Sequence, residues 1–278
     1  MVKIVTDTTA ALPRKLTERL GIPVLPQIII FGEESYRDDT ELDSVTFLKK
    51  LRASVELPKT AAPPPALYNP VYEKLTAQGE AVIVIAPSAK VSGTVRAAEV
   101  AAQDFPKADI RVVDCQTIAG NTATLVLLAD QWAKAGMSAD QITSRLKEWI
   151  PRQRTYFLVD TLEYLAKGGR IGGAKKLLGE MLQIKPILTV REGAVEPYEQ
   201  ARTKGRALER LAGIVEEQCP KSAEAHLCVM QIEAEVEAGE LAASLRNRTG
   251  IDEIPIYELP PAIITHAGPK AMGIGFFV

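Results

Sequence analysis

The stretch Ala81-Val82-Ile83-Val84-Ile85-Ala86-Pro87-Ser88-Ala89-Lys90-Val91-Ser92-Gly93-Thr94-Val95-Arg96-Ala97 decides the fold. Its first six residues are continuously apolar and rich in β-branched side chains, which suits a strand covered on both faces in a parallel sheet. Pro87 ends that run, and Ser92, Gly93 and Thr94 precede an alanine-rich helical stretch, Val95 to Gln103. The loop between has two readings. In one, Ser92 or Thr94 merely caps its own helix. In the other, the hydroxyls, the unpaired first N–H groups and the positive end of the helix dipole hold an anion, with Gly93 admitting a ligand close to the backbone.

Outward from this segment the alternation recurs. Lys3 to Thr6 reads as a strand, and Asp7-Thr8-Thr9 as the cap of a helix starting near Leu12-Pro13. Val24 to Phe31 reads as a second strand, followed by a polar excursion through Tyr36 and Asp39, and Asp43 or Ser44 caps a short helix through Phe47, Leu48 and Leu51. Pro58 to Pro65 reads as an ordered loop or surface linker, because proline fixes φ and removes donors. A helix at Tyr68 to Thr76 precedes the central strand, and beyond that strand come a strand at Ile110 to Val113, a helix at Thr122 to Ala135, and a Ser138-capped helix with Ile142, Leu146, Trp149 and Ile150 on one face. Strands alternating with helices imply parallel βαβ units, whose ligands sit beyond the carboxyl ends of the strands. Asp7-Thr8, Thr60 and Ser92-Gly93-Thr94 would then converge at one rim.

After Tyr156 to Asp160 the pattern changes. A short helical segment, Thr161 to Leu165, leads into the glycine-dense turn Gly168 to Gly173 around Arg170, and Leu177, Leu178, Met181 and Leu182 repeat at helical spacing from Ala174. Ile187 to Val190 and Ala194 to Tyr198 flank Glu192-Gly193 like a hairpin. Helices at Arg206 to Glu217 and Ala234 to Asn247 enclose a strand at His226 to Ile232, with Gly250 as a C-cap. Strands near Ile254 to Leu259 and Ala262 to Thr265 precede His266-Ala267-Gly268-Pro269, and Gly273 to Phe277 ends the chain. The expected fold is two α/β domains: residues 1–160, a parallel-sheet, flavodoxin-like, three-layer domain, and residues 161–278, a smaller mixed α/β domain.

Composition excludes several functions. The chain has 278 residues, 46% hydrophobic and 24% charged, as in ordinary globular proteins. A net charge of -2 offers nucleic acid no basic face. Cys115, Cys219 and Cys228 are odd in number and match no zinc spacing, which fits a reducing cytoplasm. No apolar run approaches the ~20 residues of a membrane span. Walker A, Rossmann glycine, HExxH and GxSxG patterns are absent, so no catalytic residues, metal or cofactor are expected. Of the two histidines, His226 in an apolar strand reads as structural; His266, in a Gly/Pro loop, is either solvated or an imidazolium donor beside a carboxylate.

Seven motifs in one order carry a resemblance. Ile4-Val5-Thr6-Asp7-Thr8-Thr9-Ala10, Lys59-Thr60 before prolines, Val91-Ser92-Gly93-Thr94, Leu162 to Ile171, Ile184 to Leu188, Ala201-Arg202-Thr203 and Thr265 to Pro269 resemble the DegV family across nearly the entire chain. The resemblance implies two α/β domains with a long-chain fatty acid buried between them. It implies a FakB-like role, in which the bound carboxylate is handed to a separate ATP-using fatty acid kinase subunit (FakA-like) for acyl phosphate formation in phospholipid metabolism; transient membrane contact is compatible with that role. By motif, Thr60 and Ser92 match the hydroxyls that contact the carboxylate, Gly93 and Thr94 shape that loop, and His266 joins the head-group network. Arg170 and Arg202 match arginines near the head group or on the kinase-facing surface. On the residues alone, Arg170 reads as a structural salt bridge and Arg202, with Lys204 and Arg206 close behind it, as a solvated basic face. The chain departs from the family pattern at Ala61, Pro64 and Ala89, where hydroxyls are usual, and at Lys270, where glycine is. Lys270 is either a further head-group cation or solvated. Two rivals remain: a phosphotransferase or hydrolase using the Ser92 loop, and a lipid sensor or carrier without a kinase.

Overall fold

The computed structural model describes residues 1–179 and 184–278. Among these, thirteen strands and ten α-helices follow one another as β1 (Val2–Asp7), α1 (Arg14–Leu20), β2 (Val24–Leu25), β3 (Ile28–Phe31), β4 (Glu34–Arg37), α2 (Ser44–Ala53), β5 (Lys59–Ala61), α3 (Pro65–Thr76), β6 (Ala81–Ala86), α4 (Thr94–Ala102), β7 (Ile110–Asp114), α5 (Gly120–Lys134) and α6 (Ala139–Trp149). The remainder are β8 (Gln153–Leu158), α7 (Glu163–Lys167), β9 (Lys185–Arg191), β10 (Ala194–Ala201), α8 (Lys204–Gln218), β11 (Cys228–Gln231), α9 (Glu235–Thr249), β12 (Ile256–Glu258), α10 (Pro261–Ala267) and β13 (Met272–Phe277).

A parallel four-stranded sheet in the order β2-β1-β6-β7 forms the first layer system. Its central strand β6 is apolar at every position because both faces are covered. Val82 and Val84 pack with Tyr68, Tyr72 and Ala98 of α3 and α4, while Ile83 and Ile85 pack with Leu125, Ile142 and Leu146 of α5 and α6. A six-stranded mixed sheet, β10-β9-β8-β13-β11-β12, forms the second, so β8, which precedes residue 160, lies here. Tyr156, Leu158, Ile274 and Phe276 turn toward α8 and α9, whereas Phe157, Leu188 and Met230 turn the other way, toward the first sheet. A small antiparallel sheet, β4-β3-β5, joins the core between them.

Several expected elements are corrected. The apolar run Val24 to Phe31 is two strands in two sheets: β2 pairs with β1, and after Pro26 and Gln27 β3 pairs with β4 and β5. Proline has no N–H to continue a ladder, so the chain changes partners there. The expected linker at Pro58 to Pro65 contributes β5, which as an edge strand tolerates the flanking prolines. Ala262 to Thr265, expected as a strand, is helical: Pro260 and Pro261 occupy N-cap and N1, where a missing N–H costs nothing, and burial overrides the β-branched preference. Asp7 caps a single 3₁₀ turn over Thr8–Ala10, and α1 begins later at Arg14. His226 stands before β11 in a left-handed conformation, φ +46°. The expected helix from Ala174 is a 3₁₀ turn, Gly172–Leu177, since Gly172 and Gly173 weaken α-helix; its continuation at Met181 and Leu182 lies outside the described residues.

Candidate functional site

In the first sheet the strand order reverses between β1 and β6, because β1 continues to β2 on one side and the chain returns to β6 on the other. Loops leaving the carboxyl ends of two such strands diverge and leave a crevice. Thr9 after β1 and Pro87, Val91, Ser92 and Gly93 after β6 line that crevice, and the second sheet closes it with Phe157, Met230 and Gly273. The result is a cavity between the two sheets. Ile118, Phe157, Leu165, Met230, Leu259 and Ile263 give it an apolar body, and Gln27, Thr60, Ser92, Arg170 and His266 give it a polar region. Phe157 in a central strand and Ile118 are only half-buried because they face this space.

The polar residues form two hydrogen-bonded chains. In the first, Thr60 Oγ1 lies 2.8 Å from His266 Nε2. His266 is the last-turn residue of α10, and its Nδ1 has no partner among the described residues. That nitrogen rests against Gly168: a Cβ there would stand 2.2 Å from it, so only glycine fits. Burial, helped by the charge of Arg170, lowers the imidazole pKa to about 4. The ring is therefore neutral, which corrects the expected imidazolium. In the tautomer with its hydrogen on Nε2 the ring donates to Thr60 and frees the Thr60 O–H for a ligand; in the other, Nε2 accepts from Thr60.

The second chain runs through the β6 loop. Gly93 takes the N-cap position of α4 and no side chain caps that helix, so neither hydroxyl is tied up in conventional capping. Ser92 Oγ lies 2.9 Å from Thr94 Oγ1 and accepts from the Thr94 N–H at 3.3 Å. Thr94 Oγ1 in turn accepts from Gln27 Nε2 at 2.9 Å. Thr94 is buried behind Ser92 and does not line the cavity itself.

Arg170 supplies positive charge. Its Nε donates to the Val91 carbonyl at 3.0 Å and its Nη1 to the Gly168 carbonyl at 2.6 Å, fastening the turn after α7 to the β6 loop. Among the described residues no carboxylate pairs with it, so the salt-bridge reading does not hold there. A second tie to the same loop comes from the β9–β10 hairpin, whose Gly193 carbonyl accepts from Ser88 Oγ at 2.8 Å. At φ +81° and with a Cβ site 2.3 Å from Ser88 Oγ, position 193 also accepts only glycine.

Thr60, Ser92, Gly93, Arg170 and His266 are thus brought together, with Thr94 directly behind. Arg202 is not among them: it is exposed just before α8 and does not line the cavity. Lys270 is also exposed, outside the cavity and beside Glu237, whose pKa it helps to lower. Its φ of +58° is where glycine is favoured, which accounts for the departure as a local strain. His226 is half-buried between Trp149 and Phe277, as a structural residue.

The sequence reading placed Asp7 at the rim but missed Gln27 and Asp38, and with them a buried acidic pair. Asp7 and Asp38 are 2% and 8% exposed. Asp7 Oδ1 accepts from the Thr9 N–H and O–H at 2.7 and 2.5 Å, and Asp38 accepts from the Thr8 hydroxyl and, at 2.8 Å, the Gln27 N–H. Desolvation raises their pKa values to about 6 and about 7, the charge of Asp7 adding to the rise at Asp38. A lone glutamine inside an apolar run was the only signal for Gln27.

All 278 residues match the family described as "uncharacterised protein, DegV family". The chain belongs to the DegV family. A DegV domain-containing protein of Clostridium perfringens is 32% identical over 99% of this chain and 98% of its own length. Among solved structures, a fatty acid binding DegV family protein of Thermus thermophilus superposes with a TM-score of 0.88 at 31% identity, covering 99% of each chain. DegV of Bacillus subtilis, a fatty acid binding protein, gives 0.86 at 31% identity, covering 100% of this chain and 99% of its own. The parallel sheet and the separate mixed sheet are the DegV architecture. Among the described residues no helix is long and apolar enough to cross a membrane.

Proposed function

We propose that this DegV protein binds one long-chain fatty acid, tail in the cavity and carboxylate against Thr60 and Ser92, and presents that carboxylate to a separate ATP-dependent kinase. One observation carries the reading: a cavity with an apolar body ends in two hydroxyls, Thr60 and Ser92, and a cation that has no carboxylate partner among the described residues. That is the complement of an amphiphile with an anionic head. The fatty acid binding of the Thermus and Bacillus relatives supports it.

The energetics divide the labour. At ~0.8 kcal/mol per buried CH₂, a dozen methylenes contribute on the order of 10 kcal/mol gross, whereas each charge-assisted head-group bond adds about 1.5–3 kcal/mol. The tail sets affinity and the hydroxyls set orientation. Ser92 and Thr60 are half-buried and Gly93 is exposed, so a carboxylate held there stands within reach of a partner's active site. Arg170, which already donates to Val91 and Gly168, has donors to spare for the extra charge of an acyl phosphate. The loops of the first sheet carry the carboxylate site, and the mixed sheet, β8 included, closes over the tail. The protein supplies no chemistry of its own in this scheme. Ser92 bonds Thr94, not a base, so the hydrolase rival that uses the Ser92 loop lacks an activated serine.

The test is titration of delipidated protein with hexadecanoic acid and its methyl ester. Tight binding of the acid, weakened about tenfold for the ester and for Ser92→Ala, is expected. Equal affinity for acid and ester would remove the carboxylate site. Turnover of the bound acid with ATP only when a kinase from the same source is added tests the second half; turnover by this chain alone would overturn it.

A further inference from the structure

The two hydroxyls at the mouth of the cavity can serve a carboxylate only if their hydrogens point outward. A hydroxyl has one hydrogen and two lone pairs, so in a chain of hydroxyls the direction is set by whatever lies at its far end. Ser92 Oγ already accepts from the Thr94 N–H at 3.3 Å, and its contact with Thr94 Oγ1, 2.9 Å, can run either way. If Ser92 donates to Thr94, its hydrogen is consumed and it offers a lone pair to the ligand, which repels a carboxylate. If Thr94 donates to Ser92, the Ser92 hydrogen is free.

Gln27 decides between them. An amide nitrogen can only donate, so Nε2 at 2.9 Å gives the Thr94 hydroxyl hydrogen no acceptor; Thr94 is 1% exposed, and among the described residues Ser92 Oγ is the one acceptor within hydrogen-bond distance of that hydrogen. A reversed amide would present Oε1, take the Thr94 hydrogen and turn the whole chain around. What holds the amide this way is buried beneath it. The Gln27 backbone N–H is anchored on Asp38 Oδ1 at 2.8 Å. The second oxygen of Asp7, fully buried, has no partner within hydrogen-bond distance among the described residues, and the Gln27 and Thr94 side chains are the groups beside it that favour its charged form. An ionised carboxylate accepts only, so it keeps the NH₂ end of Gln27 turned inward.

We infer that Gln27, its backbone held on Asp38 and its amide beside the Asp7 carboxylate, is the positioning residue that aims the Ser92 hydroxyl hydrogen out of the protein and so selects an anionic, acceptor-only head group over a neutral one. The inference rests on the carboxylate-binding reading of Thr60 and Ser92. It predicts that this protein separates long-chain acids from the corresponding primary amides, which carry donors, and that the separation depends on a residue that contributes no charge.

The measurement is the affinity of delipidated protein for hexadecanoic acid and for hexadecanamide. The wild type favours the acid by roughly 10- to 100-fold, the range of one charge-assisted bond. Gln27→Met and Thr94→Val each reduce that ratio to threefold or less while amide affinity stays within threefold of the wild type, and Thr94→Ser, which keeps the hydroxyl, recovers most of what Thr94→Val loses. Thr94→Val changes a hydroxyl for a methyl at nearly constant volume, so it decides the matter where Gln27→Met does not fold. Variants that keep the wild-type ratio, while Ser92→Ala loses it, would overturn the role of Gln27 and leave the carboxylate site standing. A wild type that binds neither ligand would instead overturn the carboxylate reading itself.

Discussion

Replacing Asp7 by asparagine stabilises the protein at pH 8 and does much less at pH 4.5. Asp7 is 2% exposed, and desolvation raises its pKa from 3.8 to about 6 despite the donors of Thr9. A carboxyl whose folded-state pKa is raised binds its proton more tightly in the native than in the unfolded chain, so stability is full below pH 3.8, falls through the window up to about 6, and stays reduced above it. At ~1.36 kcal/mol per pH unit the penalty is about 3 kcal/mol at pH 8 and about 1 kcal/mol at pH 4.5. Asparagine has no charge to desolvate, and its Oδ1 still accepts from the Thr9 N–H. Asp38 faces Asp7 and titrates near 7, and Tyr68 and Cys115 also feel its charge, their own pKa values rising with it, so relieving one charge relaxes the others in the same direction. Thermal unfolding of wild type and Asp7→Asn at the two pH values is the assay, with a gain of roughly 6–10 °C expected at pH 8. A variant less stable than wild type at pH 8, or a difference that does not change with pH, would refute the reasoning. The same substitution should weaken the preference for acid over amide, which makes Asp7 a charge retained at a cost in stability for the sake of the site.

His266 works in the opposite sense. Its pKa falls from 6.5 to about 4 on folding, so the stability it contributes is present above 6.5 and is lost as pH drops toward 4; His266→Gln should flatten that part of the wild-type profile in urea titrations at pH 7 and 4.5. Gly168→Ala would place a methyl 2.2 Å from His266 Nδ1 and 3.0 Å from the Tyr164 carbonyl, moving the ring off Thr60; a loss of about tenfold in fatty acid affinity is expected by calorimetry, and unchanged affinity would deny His266 its part in the head-group network. Lys270→Gly relieves a left-handed conformation at φ +58° and should raise stability by about 1 kcal/mol with no change in binding, which denaturant unfolding will show.

How legible the molecule was depended on which signals are local. The strand Ala81 to Ala86 announced itself through unbroken apolar, β-branched character, and the Ser138 cap through hydroxyl spacing, and both stand at those positions. Ala262 to Thr265 misled because Ile263, Ile264 and Thr265 favour strands locally, while two prolines and complete burial impose a helix. The break at Pro26-Gln27 was invisible because which sheet a short apolar strand joins is settled by tertiary pairing. Thr60, Ser92, Gly93, Arg170 and His266 were legible through family motifs, and spacing alone left Ser92 and Thr94 open as helix caps. Gln27, Asp7 and Asp38 gave less away. Their meaning is relational, a donor chain that assembles only when β1, β3 and α4 meet, and no periodicity encodes it.

The most direct measurement is native mass spectrometry of the purified protein, followed by solvent extraction of what it carries. The account predicts one long-chain fatty acid per chain, retained in the gas phase, identified in the extract, and lost from a Thr60→Ala/Ser92→Ala double variant that remains folded. A protein that comes through empty and takes up no added fatty acid would contradict it.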